Sequence, residues 1–374
     1  MSQKQIMISA GEASGDMYAA RLATELQKRL PVHLFGMGGP GMREAGVELI
    51  ADSKEVSVVG ILETWVKVPK LIGILNRVVY ETKQRKPALA ILTDFPGFHL
   101  RVARKLKRAN IPVVYFVCPQ FWAWRPWRAN LVRRRFVRGL CIFPFEEKWY
   151  RDRGVAADFI GHPLVGEVRA TRTREQFAAA HGLDPARPIV ALLPGSRHSE
   201  LRQHMPVLLA ACPAIARGRR AQFVLAVAPD VQPEELSRYL RPDAHVTLVS
   251  GVTYDAVAAA DLAIVSSGTA TVETALLGTP MVVIYRVSAF TAAVARRLIR
   301  TPMIAMVNLI AGRLVVPELI QADFTPERVA AEAGRLLDSP DAREQMRRDL
   351  AEVRERLGPP GAMARAADII AGML

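Results

Sequence analysis

The chain of 374 residues carries 50 Lys and Arg against 36 Asp and Glu, a formal net charge of +14 with an isoelectric point near 10.1. That length is too great for one comfortable core and suits two domains, while the charge favours an anionic partner: nucleic acid, an acidic membrane surface or a phosphorylated substrate. Its 3 cysteines, Cys118, Cys141 and Cys212, stand in no metal-ligand spacing; no stretch spans a bilayer and the N-terminus lacks an export signal, so a metal-free protein of a reducing, cytoplasmic compartment is expected.

Gln5 to Ser9 reads as a first strand, and Ala10-Gly11-Glu12-Ala13-Ser14-Gly15-Asp16 as the turn into a helix running to about Arg29. The small residues permit close backbone approach, and Ser14 or Asp16 can cap that helix. A second strand near Val32 to Phe35 ends in a flexible glycine-rich connection, Gly36 to Gly41. Those glycines follow the second strand and lack the dinucleotide spacing, so no NAD is expected. Val56 to Val79 is largely apolar, with charges only at Glu63, Lys67, Lys70 and Arg77. It reads either as two buried helices or as an apolar surface whose basic residues flank Trp65, Val66, Val68 and Leu71 for lipid contact.

A helix near Tyr80 to Lys86 precedes the strand Ala88 to Thr93 and then Asp94-Phe95-Pro96-Gly97-Phe98-His99. Asp94 stands at the strand's carboxyl end, where a carboxylate acts as a general base or caps the following helix, and His99 lies a turn further on. A basic helix from Leu100 to Ala109 and the strand Ile111 to Cys118 lead into Pro119 to Arg128, which holds three of the 5 tryptophans and is followed by Arg133, Arg134, Arg135 and Arg138. Trp124 and Arg125 could seat a sugar beside a phosphate; a solvated arginine helix accounts for the run equally. No RNA-binding module pattern is present, and nucleic acid is not an expected partner. Gly139 to Glu146 reads as a strand and helix opening, and Asp158 to Val165 as the last strand of this half. There His162 either faces a cleft or packs between domains, and Glu167 to Glu175 with His181 to Pro185 mark the passage to the second domain.

The second half restarts with Val190-Ala191-Leu192-Leu193-Pro194-Gly195-Ser196-Arg197. A buried strand breaks at Pro194-Gly195 and Glu200 opens a helix, which places Ser196 and Arg197 in the crevice beyond the strand; an ordinary βα turn has the same pattern. The turn lacks the run of a nucleotide P-loop. Further strands are read at Gln222 to Ala228, His245 to Val249, Leu262 to Val265 and Pro280 to Tyr285. After the Leu262 strand, Ser267, Gly268 and Thr269 expose backbone N–H groups at a helix start, an anion seat, and Glu273 lies on the same helical face to accept from vicinal hydroxyls. Phosphate plus ribose fits that combination, as does a plain helix cap with a solvated glutamate.

With these motifs in order, Ser9 to Asp16, Trp122-Ala123-Trp124-Arg125, Gly161-His162-Pro163, Leu193 to Arg197, Ser267 to Glu273, and Asn308-Leu309-Ile310 with Val316 to Gln321, the chain resembles the lipid-A-disaccharide synthases, family 19 glycosyltransferases of the GT-B class, along nearly its whole length. The resemblance implies an α/β GT-B fold: two Rossmann-like domains, 1–165 on the acceptor side and 166–345 on the donor side, with parallel sheets facing a central cleft, and helices of 346–374 crossing back to the first domain. It implies inverting transfer of 2,3-diacylglucosamine from UDP-diacylglucosamine to diacylglucosamine 1-phosphate, without a cofactor or metal. Asp94 and Arg197 align with the key aspartate and arginine. Topology, beyond those two residues, puts Glu273 on the ribose, Asn308 and Gln321 on the diphosphate or uracil side and Glu12 on the sugar, with Ser14 and Glu318 counted among the substrate-binding residues. Another GT-B UDP-sugar transferase or a UDP-sugar epimerase would share this layout. Acylated substrates turn the 56–79 stretch toward the anionic cytoplasmic face of the inner membrane, as a peripheral contact, and a homodimer that swaps its last helices occurs in some members. The chain departs from the family's Asp-x-Pro-Asp-Phe-Asn form, because Gly97 and His99 replace the second acid and the asparagine; His99 is then a candidate to orient a phosphate or assist the base.

Overall fold

The computed structural model describes residues 3–57, 64–229, 231–240, 245–288 and 303–374. The chain forms two compact units, Met1–Pro163 with Gly358–Leu374, and Leu164–Leu357. In the first, β1 (Lys4–Ser9), β2 (Val32–Gly38), β3 (Glu48–Asp52), β4 (Leu89–Thr93), β5 (Val113–Phe116), β6 (Arg138–Cys141) and β7 (Ala157–Phe159) make a sheet in the order β3-β2-β1-β4-β5-β6-β7. Every recorded pairing is parallel. Helices must therefore cover both faces, which is why Ile6-Met7-Ile8 and Leu89-Ala90-Ile91-Leu92 are unbroken apolar runs and essentially fully buried. Strand order reverses between β1 and β4, and their register runs from Ile6 opposite Leu89 to Ser9 opposite Leu92. The carboxyl ends of the two strands thus lie side by side at the switch point, where open α/β sheets bind ligands.

The second unit repeats the design with β8 (Ile189–Leu193), β9 (Gln222–Val227), β10 (Val246–Ser250), β11 (Leu262–Ser266), β12 (Met281–Tyr285) and β13 (Glu318–Ile320), in the parallel order β10-β9-β8-β11-β12-β13. Its switch point lies between β8 and β11, with Leu262 opposite Val190 and Val265 opposite Leu193.

Several expectations are corrected. β3 and β13 are edge strands too short and too charged at their ends to show a strand pattern. The 80–86 helix is the end of one long helix, Thr64–Arg85, which turns Ile74, Leu75, Val78 and Val79 into the core at helical spacing. The strand expected over 158–165 stops at Phe159. The 198–216 helix starts at His198, with Glu200 at its third position. Asp16 does not cap its own helix, Ala13–Arg29: its carboxylate accepts from Gly39 N (2.6 Å), Gly41 N (2.8 Å) and Met42 N (3.3 Å), pinning the glycine-rich connection and capping the helix Pro40–Glu44.

Of the C-terminal helices, Pro340–Arg356 belongs to the second unit, and the chain joins the first from Gly358. There Ala362–Ala371 lies on Ala13–Arg29, with Arg29 Nε 2.6 Å from Asp368, and Arg365 Nε donates to the Ile160 carbonyl at 2.9 Å. No helix among the described residues is long and apolar enough to cross a membrane.

Candidate active site

The first switch point is built around Asp94. Directly after β4, Asp94 and Phe95 both adopt left-handed backbone, φ 53° and 34°, at a cost of order 1–3 kcal/mol each for non-glycine residues. Surrounding bonds hold this conformation. The Asp94 carbonyl accepts from the Tyr115 hydroxyl at 3.0 Å and from His99 Nδ1 at 3.1 Å. A carbonyl only accepts, so Nδ1 carries the proton and Nε2 is left to accept from the Ser9 hydroxyl at 2.9 Å. The carboxylate itself accepts from Gly11 N (2.9 Å) and Glu12 N (3.0 Å), both on the turn after β1.

Glycines make this closeness sterically allowed. A Cβ on Gly15 would stand 1.6 Å from Asp94 Oδ2, and one on Gly11 would stand 2.8 Å from the Phe95 Cβ. Burial, reinforced by the nearby Glu12 and Asp16 carboxylates and opposed by the two N–H bonds, pushes the Asp94 carboxyl up to about 8. A carboxylate with that proton affinity is a far stronger base than an exposed one.

His99 is fully buried and burial pushes its imidazole down to about 4, so it is a neutral brace for Asp94 and offers no surface to a phosphate. His162 is also buried, packed against the Phe143 ring at 5.2 Å, and likewise pushed down to about 4. Glu12 and Ser14 are exposed at the start of the Ala13–Arg29 helix, beside Asp94. Trp124 ends a short helix with the Arg125 guanidinium 4.4 Å from its ring, while the neighbouring Trp122 donates to the buried Glu146.

In the second unit a cavity of about 770 Å³ opens at the β8/β11 switch point, lined among others by Ser196, Arg197, Tyr254, Ser266, Thr269 and Glu273. The Pro194-Gly195 turn is held from both sides. His204, buried, donates from Nδ1 to the Pro194 carbonyl at 2.6 Å and accepts the Arg286 N–H on Nε2 at 2.9 Å. Glu200 Oε2 accepts from Ser196 N (3.2 Å) and Arg197 N (3.4 Å), and its Oε1 takes the Arg197 guanidinium at 3.0 Å. Gly195 has φ 117°, and a Cβ there would stand 2.4 Å from Glu200 Oε2, so this turn requires glycine. The Arg197 side chain is 76% exposed despite its ion pair, which leaves its remaining donors available.

Across the same cavity, Ser267 N is engaged by the Ile284 carbonyl at 2.9 Å, and Gly268 (φ 154°) starts the helix Thr269–Leu277. Ser266 Oγ is buried with no partner among the described residues. Glu273 accepts from the Tyr254 hydroxyl at 2.9 Å, and burial raises its carboxyl.

Asn308, Glu318 and Gln321 do not line this cavity. Asn308 is fully buried: its amide donates to Val316 O (3.0 Å) and Glu318 (2.7 Å) and accepts from Val315 N (2.8 Å) and Val316 N (3.0 Å). Glu318 also accepts from Ile304 N and Ala305 N, each at 2.9 Å. Gln321 presents its side-chain amide to the Val287 peptide at 3.1 and 3.2 Å, and its carbonyl accepts from Arg286. With these polar groups already satisfied, the structure supports a bracing role in place of ligand contact. The side chains of Trp65, Val66 and Val68 lie outside the described residues; Leu71 packs in part against the core.

No site role for Ser9, Tyr115, His204, Tyr254 or Ser266 was read from the sequence. Ser9, Tyr115 and Ser266 lie in apolar strands that read as core, and His204 lies inside a helix.

Two Rossmann-like parallel sheets define the chain as a GT-B glycosyltransferase fold. The solved glycotransferase of kitacinnamycin matches with a TM-score of 0.66 at 19% identity over 100% of both chains, and MurG from Acinetobacter baumannii with 0.62 at 15% over 99% of both. The chain belongs to the lipid-A-disaccharide synthetase family, whose sequence model matches residues 6–369. The lipid-A-disaccharide synthase of Solibacter usitatus is 45% identical over 365 residues, 97% of this chain and 96% of the relative.

Proposed function

We propose that this enzyme transfers 2,3-diacylglucosamine from its UDP donor to the 6-hydroxyl of 2,3-diacylglucosamine 1-phosphate, with inversion, forming the β-1,6-linked disaccharide 1-phosphate and UDP. The observation that carries the reading, beyond family membership, is the buried, high-affinity carboxylate of Asp94 at a switch point. The acceptor oxygen forms a bond to the anomeric carbon as its proton passes to Asp94, and the bond from that carbon to the diphosphate breaks with its electron pair leaving on UDP.

UDP suits the second unit's cavity. Arg197 meets charge growing on the diphosphate, the first-turn N–H groups at Gly268 and Thr269 and the Ser196, Ser266 and Ser267 hydroxyls supply neutral donors, and Glu273 accepts from the ribose hydroxyls. Glu12, Ser14, Trp124 and Arg125 flank the acceptor sugar. UDP release from the two acylated substrates tests the reaction directly: release that needs both, with a disaccharide 1-phosphate as product, is the expected result, and release independent of the acceptor sinks it.

Two further outcomes are expected. First, kcat/KM rises with pH and levels off above about 8, because only deprotonated Asp94 accepts the proton. His99, neutral above about 4, adds no step in that range. A profile flat between about pH 6 and 9 removes Asp94 as the base.

Second, the acyl chains place this cytoplasmic enzyme on the inner membrane's anionic face through Trp65, Val66, Val68 and Leu71. Trp65→Glu with Leu71→Glu is expected to weaken co-sedimentation with anionic vesicles by about tenfold or more, with a thermal melt showing that the variant is still folded. Binding equal to the parent's rules out that anchor.

A further inference from the structure

The first unit contains a second cavity, about 560 Å³, that takes no part in the chemistry above. On the helix Pro96–Lys107, Gly97, Arg101, Arg104 and Lys105 recur three and four residues apart, and Arg108 continues the row just past its end. They form one face, while Phe98, Val102, Ala103 and Leu106 fill the core behind it. Arg128, ending the short turn Pro126–Arg128, and Arg135, ending the helix Ala129–Arg135, close the cavity, and Ile72, Leu75, Leu131 and Trp127 supply apolar walls. Ile72 and Trp127 are 53% and 59% exposed.

Among the described residues, no acidic side chain lines this cavity, and the polar contacts of its cations are to neutral groups: Arg101 to the Gly97 carbonyl (2.6 Å), Lys105 to Asn76 (2.7 Å) and Arg135 to the Leu100 carbonyl (2.8 Å). Burial and then the neighbouring arginines hold the Arg128 and Arg135 guanidinium groups below their ordinary proton affinity, so the cluster repels itself when empty. An anion relieves that repulsion, and the clustered forks suit a phosphate, which takes several charge-assisted bonds at once. The apolar walls call for hydrocarbon attached to the same molecule.

The cavity is also tied to the catalytic carboxylate. Gly97 lies three residues beyond Asp94, and a Cβ there would meet nothing within 4 Å, so that end is open. Arg128 acts electrostatically on the Tyr115 phenol, whose hydroxyl bonds the Asp94 carbonyl.

We propose that this groove seats the phosphate of the acceptor, a phosphorylated acyl sugar, among Arg101, Arg104, Arg128 and Arg135, with an acyl chain along Ile72, Leu75, Leu131 and Trp127. The inference rests on the transferase reading above. It makes these arginines the determinants of selectivity for a phosphorylated acceptor.

The test uses the full chain in neutral detergent micelles with saturating UDP donor, and compares 2,3-diacylglucosamine 1-phosphate with 2,3-diacylglucosamine lacking the phosphate. The parent is expected to favour the phosphorylated acceptor, and Arg101→Gln with Arg104→Gln to shrink the ratio of the two kcat/KM values by at least about tenfold, through a higher KM for the phosphorylated acceptor. Both positions are exposed, and a melting curve confirms folding. A ratio equal to the parent's, or an equal loss on both acceptors, overturns the proposal. So does an unchanged ratio accompanied by lost binding to phosphatidylglycerol vesicles, which would assign the cations to bulk membrane lipid. If the parent joins neither acceptor to the donor sugar, the transferase reading itself has failed and this inference falls with it.

Discussion

Asp94→Asn is expected to lower kcat by at least about a hundredfold while the protein stays folded, in line with removal of a general base. The replacement is nearly isosteric in a site where a Cβ on Gly15 would already touch the carboxylate, so the turn after β1 and the Asp94-Phe95 backbone keep their shape. One amide oxygen still accepts from the turn, whereas the amide nitrogen faces an N–H that had been bonded to a carboxylate oxygen at 2.9 or 3.0 Å. The lost hydrogen bond is offset by removal of a buried carboxyl whose charge burial already disfavours, so stability changes little. The lost function is separate: an amide cannot take the acceptor's proton. The measurement is steady-state kcat alongside a thermal melt and UDP affinity. Turnover near the parent's, with the variant folded, would exclude Asp94 as the base.

Arg197→Ala is expected to cost a similar factor, about a hundredfold in kcat/KM, by a different route. The Pro194-Gly195-Ser196 turn survives the change, because His204 holds Pro194 and Glu200 holds the N–H groups of Ser196 and Arg197 without help from the guanidinium. What disappears is an exposed cation beside the cavity. Its ion pair with Glu200 orients the side chain and contributes little to stability at that exposure. UDP inhibition should weaken together with turnover, and Arg197→Lys should restore part of both, since a lysine supplies the charge without the fork. Unchanged UDP affinity in Arg197→Ala would move the arginine off the diphosphate.

The signals legible along the chain were local ones. The long parallel strands were legible because burial on both faces demands uninterrupted apolar runs, and Ile6-Met7-Ile8 and Val190 to Leu193 are such runs. Asp94 and Arg197 could be singled out because each follows such a strand, where the backbone must turn. The edge strands β3 and β13 were not legible, since short strands between charged or polar ends have no distinctive period. His99, Asn308 and Glu318 carry chemistry suited to ligands, yet their partners come from distant or folded-back segments: Ser9 is 90 residues from His99. Saturation of a polar side chain depends on those partners, and no spacing along the chain encodes it.

Sequence alone therefore established two α/β halves, the family resemblance carried by ordered motifs, and the strand-end positions of Asp94 and Arg197, because composition, period and turn chemistry act between neighbours in the chain. Folding settled the rest. It put β1 beside β4 and β8 beside β11, buried Asp94 enough to raise its proton affinity, and turned His99 into a brace. It also aligned the arginines of separate helical segments over one apolar groove. Each of these depends on distances and on exclusion of water between segments far apart in the chain, quantities that come into being only when the sheets assemble.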